Sequence, residues 1–362
     1  MHFVGMRILF ICKCRYTNKD LLEDRFGRLY HLPVQLQKLG THIQVDALDY
    51  RSFKTRSISI ESVLFRTVPV SLSKIPFLPL VLFQSVKKFE PHIILASGDS
   101  HLGFLGLFIA RKLKVPFVFD VYDYYPAFKG NRIPGFKSMF NSSVRMADLV
   151  LCASGSLEQK LKPINRRTLL VENGVDTALF RPLDMNEARR ALGLAADGLY
   201  VGYFGTIEPS RGPLLLEAAR LLREGWPELR LLLAGEVRGV DLSAPWITHY
   251  GNVPQEQVPR LINACDVVTI PYTSTPFNDH CGACKIAEYL ACGKPVVATR
   301  VSDHERMFAD TPSSLCDLTS ESMADALRRQ LQNRESARFP NDLAWDAIGK
   351  KLHGLLRSLA CS

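Results

Sequence analysis

Short apolar runs and amphipathic helical patterns alternate along the first half of the chain. The apolar runs predict strands, and the first helical pattern ends at Gly40, a residue type that commonly closes helices. Alternation of this kind is typical of βαβ crossovers, which build a parallel sheet. The predicted strands cover residues 7–12, 42–47, 91–96, 116–121, 147–153 and 168–171, and the predicted helices cover residues 28–39 and 101–113.

The pattern is interrupted at residues 173–184, which contain Gly174 and Pro182, and then restarts. A length of 362 residues also suits two cores better than one. We therefore predict an α/β chain with two Rossmann-like, doubly wound domains facing a cleft. They cover residues 1–180 and 181–340, and a final helix in 341–362 packs back on the first. The second set has strands at 200–204, 230–234, 248–250, 267–271 and 295–299, and helices at 213–224, 259–264 and 285–292.

Charge and cysteine usage narrow the possible partners and compartment. A net charge of +9 attracts phosphates, anionic lipid or nucleic acid. Aromatic–basic interleaving and zinc-finger spacing are both missing from the sequence, so nucleic acid is not expected as a partner. Nine scattered cysteines favour a reducing compartment. The first residues lack a charged leader, and the apolar runs at 75–83 and 102–110 are too short to span a bilayer. These features predict a cytoplasmic protein, either soluble or peripheral at the inner face of the cytoplasmic membrane.

The first candidate for ligand binding is the turn after the predicted strand 200–204. The strand ends at Gly205, and Arg211 and Gly212 precede a helix that starts near Pro213. Backbone N–H groups at a helix start, together with a guanidinium, suit a diphosphate. An ordinary strand–turn–helix connection with a solvated arginine is the alternative.

The second candidate is the segment H-C-G-A-C-K-I-A-E-Y-L-A-C-G, residues 280–293. Gly282 and Ala283 are small and let a ligand approach the backbone. Lys285 falls in the first turn of a helix, where a cation opposes the helix dipole, so an anion is expected there. Glu288 lies on the same helix face and can accept hydrogen bonds from sugar hydroxyls. The alternative is a solvated Lys285–Glu288 pair.

His280, Cys281 and Cys284 also raise the question of a metal site. Structural zinc needs four ligands, commonly from two matched pairs, and the sequence offers no second pair at suitable spacing. No metal and no bound cofactor are therefore expected.

Several motifs occur in an order that resembles the retaining glycosyltransferases of the GT-B fold, in the group 1 and family 4 classes. The motifs are V-E-N-G-V-D at 171–176, Y-G-N-V at 250–253, A-C-D-V-V-T-I-P-Y at 264–272, K-I-A-E-Y-L-A-C-G-K-P-V-V-A-T at 285–299, and Trp345–Asp346. The resemblance covers the whole second domain, whereas the first domain matches only in its pattern.

The resemblance implies a nucleoside-diphosphate sugar bound mainly by the second domain and an acceptor bound by the first. It implies transfer with retention, without a metal, and it places Asn252 and Val253 in the loop that receives the nucleobase. Two positions depart from the family. Thr206 stands where a phosphate-binding basic residue is usual, and His280 stands where a glutamate usually contacts the sugar.

Three first-domain residues follow predicted strands and are candidates for roles in the site. Asp123 lies where the family often has a His–Asp pair, and it could orient the acceptor hydroxyl or the donor sugar, or act as a base. Asp99 and His101 are further acceptor candidates. A capping role in a loop is the alternative for Asp123.

Basic residues surround an apolar run within residues 51–88, a pattern that suits an anionic membrane surface. The alternative is a core helix with a solvated rim. The sequence thus predicts a glycosyltransferase that acts on a glycan or lipid-linked acceptor in cell-surface polysaccharide or glycoconjugate synthesis. In it Asp123, Arg211 and Lys285 carry the chemistry. A nucleotide-sugar 2-epimerase and a non-catalytic glycosyltransferase-like subunit remain alternatives.

Overall fold

A computed structural model divides the chain into two compact units. The first comprises Met1–Gly174, His280–Gly282 and Trp345–Ser362, and the second comprises Val175–Asp279 and Ala283–Ala344. The structure describes residues 5–16, 19–52, 54–71 and 78–361, with only the backbone at 79–81, 84, 85 and 132.

The first unit is built on a mainly parallel sheet with the strand order β10-β9-β8-β7-β1-β4-β6-β5. Its middle strands are buried along their whole length, as expected when helices cover both faces of a sheet. Only the edge strand β5 runs antiparallel to its neighbour in the described sheet. The strands are β1 Arg7–Lys13, β4 His42–Asp49, β5 Ser57–Ile60, β6 Val63–Pro69, β7 Ile93–Ser97, β8 Phe117–Val121, β9 Leu149–Cys152 and β10 Thr168–Leu170. A small hairpin of β2 Arg15–Tyr16 and β3 Lys19–Asp20 follows β1.

The helices of the first unit are α1 Arg28–Lys38, α2 Leu78–Phe89, α3 Ser100–Leu113, α4 Phe136–Met146, α5 Gly155–Leu161 and α12 Trp345–Cys361. The last of these packs against α1, where the Trp345 indole stacks on the His31 ring with centroids 5.1 Å apart. Gly174 lies under the same indole, and a Cβ at Gly174 would lie 2.7 Å from it. The helix that ends the chain is therefore a fixed part of the first unit.

A buried ion pair crosses the core of the first unit. Arg28, the first residue of α1, and Asp120 of β8 both have fully buried side chains. The guanidinium donates from Nε and Nη2 to the two carboxylate oxygens, at 3.1 and 2.7 Å. Such a bidentate pair offsets the cost of burying two charges only when the remaining hydrogen-bonding groups are also satisfied.

The third nitrogen of the guanidinium, Nη1, is also hydrogen-bonded, and its partners lie in the chain segment that follows β10. Nη1 donates to the Val171 carbonyl and to Asn173 Oδ1, each at 3.0 Å. Asn173 Nδ2 in turn donates to the Gly282 carbonyl at 2.7 Å. A Cβ at Gly282 would overlap the Ala153 carbonyl oxygen, so glycine is needed there for close packing of two backbones.

The second unit is a parallel sheet with the order β13-β12-β11-β14-β15-β16. Its strands are β11 Tyr200–Phe204, β12 Arg230–Ala234, β13 Ile247–His249, β14 Val267–Ile270, β15 Val296–Thr299 and β16 Leu315–Cys316. Its helices are α6 Met185–Ala191, α7 Pro213–Arg223, α8 Val258–Ala264, α9 Cys284–Ala291, α10 His304–Met307 and α11 Ser320–Asn333.

The predicted α/β fold with two parallel sheets is confirmed. Gly40 and Gly293 close α1 and α9 with positive φ of 87° and 67°. The edge strand β5 and its antiparallel neighbour β6 were not predicted, because β5 is mostly exposed and β6 is a short alternating run that ends in a proline. The helices α4, α5, α6 and α11 were also missed. Residues 72–77, part of the apolar run predicted at 75–83, lie outside the described residues.

The helices of the described chain include none that is both long and apolar enough to cross a membrane. The nine cysteines, all among the described residues, form no disulfide bond with one another, and six of them have buried side chains.

Replacing Arg28 with Met should leave the Asp120 carboxylate buried without its partner. We expect the first unit to lose about 3–5 kcal/mol of unfolding free energy, the usual effect of breaking a buried pair. The measurement is urea unfolding followed by Trp345 fluorescence, in a chain carrying Trp226→Phe and Trp246→Phe so that only the first unit reports.

The matched control is Arg328→Met, because Arg328 pairs with Asp325 on the exposed surface of α11. That variant should change stability by no more than about 1 kcal/mol. Equal effects of Arg28→Met and Arg328→Met would show that the buried pair does not hold the first unit together.

Candidate functional site

Three glycine-containing turns lie against one another at the carboxyl ends of β11, β12 and β13. The Gly205 amide donates to the Ala234 carbonyl at 2.7 Å, and the Gly235 amide donates to the Gly251 carbonyl at 2.8 Å. A Cβ at Gly235, where φ is 130°, would overlap the Gly205 carbonyl. Ligands of parallel α/β sheets bind at this end of the strands, and here backbone rather than side chains forms the surface.

Lys285 extends from the first turn of α9 across Gly205. Its Nζ lies 2.7 Å from where a Cβ of Gly205 would be, and its Cε lies closer still. The ammonium is also 5.9 Å from the centroid of the Tyr203 ring. Gly205 is therefore required to make room for the lysine, and this lysine brings a cation to the end of β11.

The ammonium of Lys285 is held in its charged form. Burial favours the neutral amine, but the nearby oxygens of Tyr272 and Tyr203 outweigh it, so the pKa of Lys285 lies above its usual range. Lys285 is thus a cation in a partly buried position at the start of a helix. The dipole of α9 opposes a positive charge there, so an anion bound beside it would relieve the conflict.

Arg211 is held rigidly in the turn before α7. Its Nε and Nη2 both donate to Asn278 Oδ1, at 3.3 and 2.9 Å. The guanidinium also lies 4.5 Å from the Tyr272 ring centroid and 5.2 Å from that of Phe277. Glu208 balances part of the charge, with its Oε1 3.6 Å from Arg211 Nε. These partners fix the guanidinium before any ligand arrives.

The helices α7 and α9, which start at this edge, begin without a side-chain cap. Gly212 precedes α7, which has Pro213 in its first turn, and Ala283 precedes α9. Neither capping residue accepts a hydrogen bond with its side chain. First-turn amides of this kind are suited to oxygen ligands that carry negative charge.

The remaining predicted residues of the second unit surround these groups with varied exposure. Thr206 is half-buried, and its carbonyl accepts a hydrogen bond from Tyr203 Oη at 3.0 Å. Glu288 is half-buried on α9. Asn252 is exposed, whereas Val253 packs partly against the core of the second unit.

His280 and Gly282 belong to the first unit, so the predicted segment 280–293 is divided between the two units. The His280 carbonyl accepts a hydrogen bond from Ser154 Oγ at 2.9 Å. Its ring meets the Tyr124 ring edge to face, with centroids 5.3 Å apart. Gly282 was predicted to let a ligand approach, but its packing on Ala153 already requires a glycine.

A polar cluster lies at the carboxyl ends of the first unit's strands. Asp99, just before α3, pairs with Lys13 at the end of β1, at 3.6 Å. His101 Nε2 and Tyr50 Oη share a hydrogen bond of 2.6 Å. Burial lowers the pKa of His101 and raises that of Tyr50, so both are neutral near pH 7. Asp99 and His101, both predicted, therefore lie in one cluster.

Asp123 follows β8 and is half-buried, and its carbonyl accepts a hydrogen bond from the Tyr125 amide at 3.0 Å. The neighbouring Tyr122 is buried, with its ring 5.8 Å from Lys13 Nζ. Burial and the nearby Asp99 raise the pKa of Tyr122.

Several residues that build these sites were not predicted. Tyr272, Phe277 and Asn278 fix Arg211 from more than sixty positions away in sequence. Lys13 is the last residue of β1, and Tyr50 directly follows β4. A polar residue at the carboxyl end of a predicted strand is a signal from which both could have been predicted. Within the residues that the structure describes, no group of three or more His, Cys, Asp or Glu side chains is arranged to hold a metal ion.

His304 contacts Tyr272, one of the two aromatic residues that pack against Arg211. Its Nδ1 is 2.7 Å from the Thr299 carbonyl, and its ring centroid is 5.9 Å from that of Tyr272. Its Nε2 is buried and has no hydrogen-bond partner among the described residues. Burial lowers the pKa of His304 from 6.5 to about 4.

Two family models match separate parts of the chain. Residues 198–333 match the model described as glycosyl transferases group 1, and residues 28–179 match glycosyltransferase family 4. The first match contains the turn after β11 and all of α9, and the second contains the polar cluster residues Asp99 and His101.

Curated relatives match over about half of this chain. A D-inositol 3-phosphate glycosyltransferase of Segniliparus rotundus is 32% identical over 51% of this chain and 43% of its own length. A putative teichuronic acid biosynthesis glycosyltransferase of Bacillus subtilis, TuaH, is 27% identical over 45% of this chain and 43% of its own. The chain thus spans less than half the length of these relatives.

Solved structures share the fold over nearly the whole chain. A sucrose-phosphate synthase from Thermosynechococcus elongatus superposes with a TM-score of 0.72 at 19% identity, covering 99% of this chain and 100% of its own. HepE from Anabaena, solved with UDP and glucose, gives 0.71 at 17% identity, covering 98% of this chain and 100% of its own.

The buried His304 should make the second unit less stable in mild acid. Above pH 6.5 the imidazole is neutral in the folded and the unfolded chain and has no effect. As the pH falls from 6.5 toward 4, the unfolded chain binds a proton that the folded chain does not, so the unfolding free energy falls. At pH 4.5 this loss should be roughly 2–3 kcal/mol. His304→Gln should remove it.

The measurement compares urea unfolding at pH 7 and pH 4.5 for the two chains. Trp226 and Trp246 report the second unit when Trp345 is replaced by Phe. If both chains lose the same stability over this pH range, His304 is not the group responsible.

Proposed function

The chain belongs to the glycosyltransferases of group 1 and family 4, and on that premise we propose that it transfers a sugar from a nucleoside-diphosphate sugar to an acceptor. The acceptor is a glycan or a lipid-linked molecule, and the transfer retains the anomeric configuration. The product serves cell-surface polysaccharide or glycoconjugate synthesis.

The observation that carries the proposal is the pair of cations at the carboxyl edge of the second unit's sheet. Arg211 is fixed on Tyr272 and Asn278, and Lys285 lies across Gly205 at the end of β11. In the proposed reaction the diphosphate leaves with increasing negative charge. Cations that are already in place stabilise that charge without reorganising during the reaction.

The position of Lys285 supports the proposal that it replaces the positive charge missing at position 206. The family usually has a basic residue at position 206, and this chain has threonine. Lys285 Nζ lies beside Gly205, one residue away, so it brings a positive charge close to the place where the missing one would stand. We propose that Lys285 takes over that contact with the diphosphate.

We propose that the uncapped helix starts at Gly212 and Ala283 bind diphosphate oxygens alongside the two cations. Glu288 would accept hydrogen bonds from ribose or sugar hydroxyls. Asn252 and Val253, after β13, would contact the nucleobase. HepE was solved with UDP and glucose, so UDP-sugars are the first donors to test. Because cations and helix starts supply the charge, we propose that no metal or cofactor takes part.

The acceptor is assigned to the polar groups at the strand ends of the first unit. Asp123 would orient the acceptor hydroxyl or act as its base. Asp99 and His101 would contact other acceptor groups. The Lys13–Asp99 pair and the Tyr50–His101 hydrogen bond hold these side chains in defined positions.

Neutral substitutions at the two cations should lower turnover far more than they lower stability. We expect Lys285→Met and Arg211→Met each to lose roughly 10²–10³ in kcat, as when an electrostatic donor is removed from an active site. The measurement is release of nucleoside diphosphate in the presence of acceptor, with and without EDTA, which should make no difference.

Arg220→Met is the matched control, since Arg220 is an exposed residue of α7 that pairs with Glu217. Its rate should equal that of the unmodified chain, and Arg211→Lys should recover part of the loss. Near-normal rates in both neutral variants would remove the diphosphate assignment.

Adding one methyl group at Gly205 should displace Lys285 without removing it. The Cβ of Gly205→Ala would meet only the flexible end of the lysine and the Tyr203 hydroxyl, so we expect a stability change within about 1 kcal/mol. Turnover should fall in the same direction as in Lys285→Met. Gly354→Ala, where a Cβ meets nothing within 4 Å, is the control for the substitution itself. A normal rate in Gly205→Ala would contradict the proposed position of the ammonium.

The donor is identified by thermal-shift screening with UDP-, GDP-, ADP- and dTDP-sugars. A ligand present at a hundred times its Kd stabilises the folded chain by about 2.7 kcal/mol, so the true donor gives the largest shift. Conversion of the donor to an isomeric nucleotide-sugar without acceptor would identify an epimerase. Binding without turnover under any condition would identify a non-catalytic subunit.

A further inference from the structure

Four neighbouring strands of the first sheet carry polar side chains at their carboxyl ends. The strands β4, β1, β7 and β8 are adjacent and parallel. Tyr50 directly follows β4, and Lys13 ends β1. Asp99 comes two residues after β7, and Asp123 comes two residues after β8. The ends of adjacent parallel strands lie side by side, so these four residues form a strand-end row along the edge where α/β sheets bind ligands.

Tyr50 is the aromatic member of the strand-end row, and its two ends differ in their surroundings. Its hydroxyl shares a 2.6 Å hydrogen bond with His101 Nε2, and burial raises the pKa of the phenol. The residue as a whole is nevertheless 44% exposed, so its open surface includes a large part of the ring. The ring also meets the His101 ring edge to face, with centroids 5.9 Å apart. Tyr50 therefore presents an apolar ring surface in a fixed position.

The turn that contains Tyr50 is fixed by the residue before it. The buried Asp49 carboxylate accepts hydrogen bonds from the amides of Arg51 and Ser52, at 2.9 and 3.1 Å. Aspartate commonly holds a turn in this way, by binding the backbone two and three residues ahead. An aromatic ring that is held by its turn and by its own hydroxyl loses little conformational freedom when a ligand covers it.

The charges of the strand-end row give no excess of positive charge. Lys13 pairs with Asp99 at 3.6 Å, and Asp123 adds a further carboxylate. The pKa of His101 lies below its usual range because the ring is buried, so His101 is neutral near pH 7. Phosphates and carboxylates bind where cations exceed anions, as at the carboxyl edge of the second unit. The strand-end row is instead suited to an uncharged ligand.

The polar members of the row can still bind a ligand. The Lys13 and Asp99 side chains are 24% and 25% exposed. An ammonium, a carboxylate and a phenol can each form more hydrogen bonds than these contacts use. Donors and acceptors around an aromatic ring match a pyranose, because its C–H face is apolar and its rim carries hydroxyls. A hydrocarbon chain would instead bury the polar groups without partners.

We infer that the acceptor presents an uncharged pyranosyl residue to the strand-end row. Its C–H face packs on the Tyr50 ring, and its hydroxyls bind Tyr50 Oη and the Lys13–Asp99 pair. The inference rests on the proposed function and narrows the acceptor to a molecule whose receiving end is a neutral sugar. It makes Tyr50 a residue that determines acceptor specificity.

The test is saturation-transfer NMR of the full chain with the methyl pyranosides of glucose, galactose and mannose, without donor. We expect at least one of them to bind, and to bind equally at low and high salt because the ligand carries no charge. Tyr50→Ala should weaken this binding by about tenfold, the equivalent of one lost aromatic contact. Tyr50→Phe keeps the ring and should lose less.

The control is Phe108→Ala. Phe108 is 41% exposed in the same unit, but it lies about 12 Å along α3 from the start of that helix. This variant should bind like the unmodified chain. The inference is overturned if the unmodified chain binds none of the methyl pyranosides, or if Tyr50→Ala binds them normally. Tighter binding of glucose 6-phosphate or glucuronic acid, weakened by salt, would also overturn it.

Turnover separates this inference from the proposed function. In the assay of nucleoside diphosphate release, Tyr50→Ala should raise the KM for the acceptor and leave the KM for the donor unchanged. Pyranoside binding that Tyr50→Ala weakens, without transfer from any donor, would support the sugar site and contradict the proposed transfer. Transfer to a phosphorylated acceptor that Tyr50→Ala does not impair would support the proposed transfer and overturn the assignment of the acceptor.

Discussion

The guanidinium of Arg28 fixes more of the first unit than any other side chain described above. Its pair with Asp120 places the start of α1 against the end of β8, the strand that leads into Tyr122 and Asp123. The same group holds the chain after β10 through Val171 and Asn173. A charge buried this deeply stabilises a fold only when all its donors are bound. This requirement makes the positions of three chain segments depend on one another.

The second unit uses a similar device at the opposite ends of its strands. Asp266 stands just before β14, and its carboxylate accepts hydrogen bonds from Arg189, Arg334 and the Tyr200 amide, at 2.8, 3.0 and 2.8 Å. The network thus joins α6, α11 and the start of β11 at the amino edge of the sheet. The carboxyl edge carries glycine turns and cations, so this stabilising network and the proposed ligand site lie at different edges of one sheet.

The sequence predicted where the strands lie better than it predicted why particular residues are required at their positions. Buried parallel strands are nearly continuous apolar runs, so β1, β7, β8, β11, β12 and β14 could be located from hydrophobicity alone. The edge strand β5 and its neighbour β6 are not continuous apolar runs and lack that signal. Gly282 was predicted as a place where a ligand approaches the backbone, and Gly205 only as the end of a strand; the Ala153 backbone approaches the first and Lys285 the second. Such contacts join residues far apart in sequence, and no local pattern records them.

The two cations of the proposed donor site differ in how they are held, and the difference has a chemical consequence. Arg211 has its guanidinium enclosed by two rings and an amide, so little freedom remains to be lost when an anion binds. Lys285 lies across a bare glycine backbone on a flexible stem. In the proposed site the enclosed guanidinium would set the position of the diphosphate, and the ammonium beside Gly205 would add a second positive charge at the end of β11. Under the proposed function this second charge matters because Thr206 stands where the resemblance implies a basic residue.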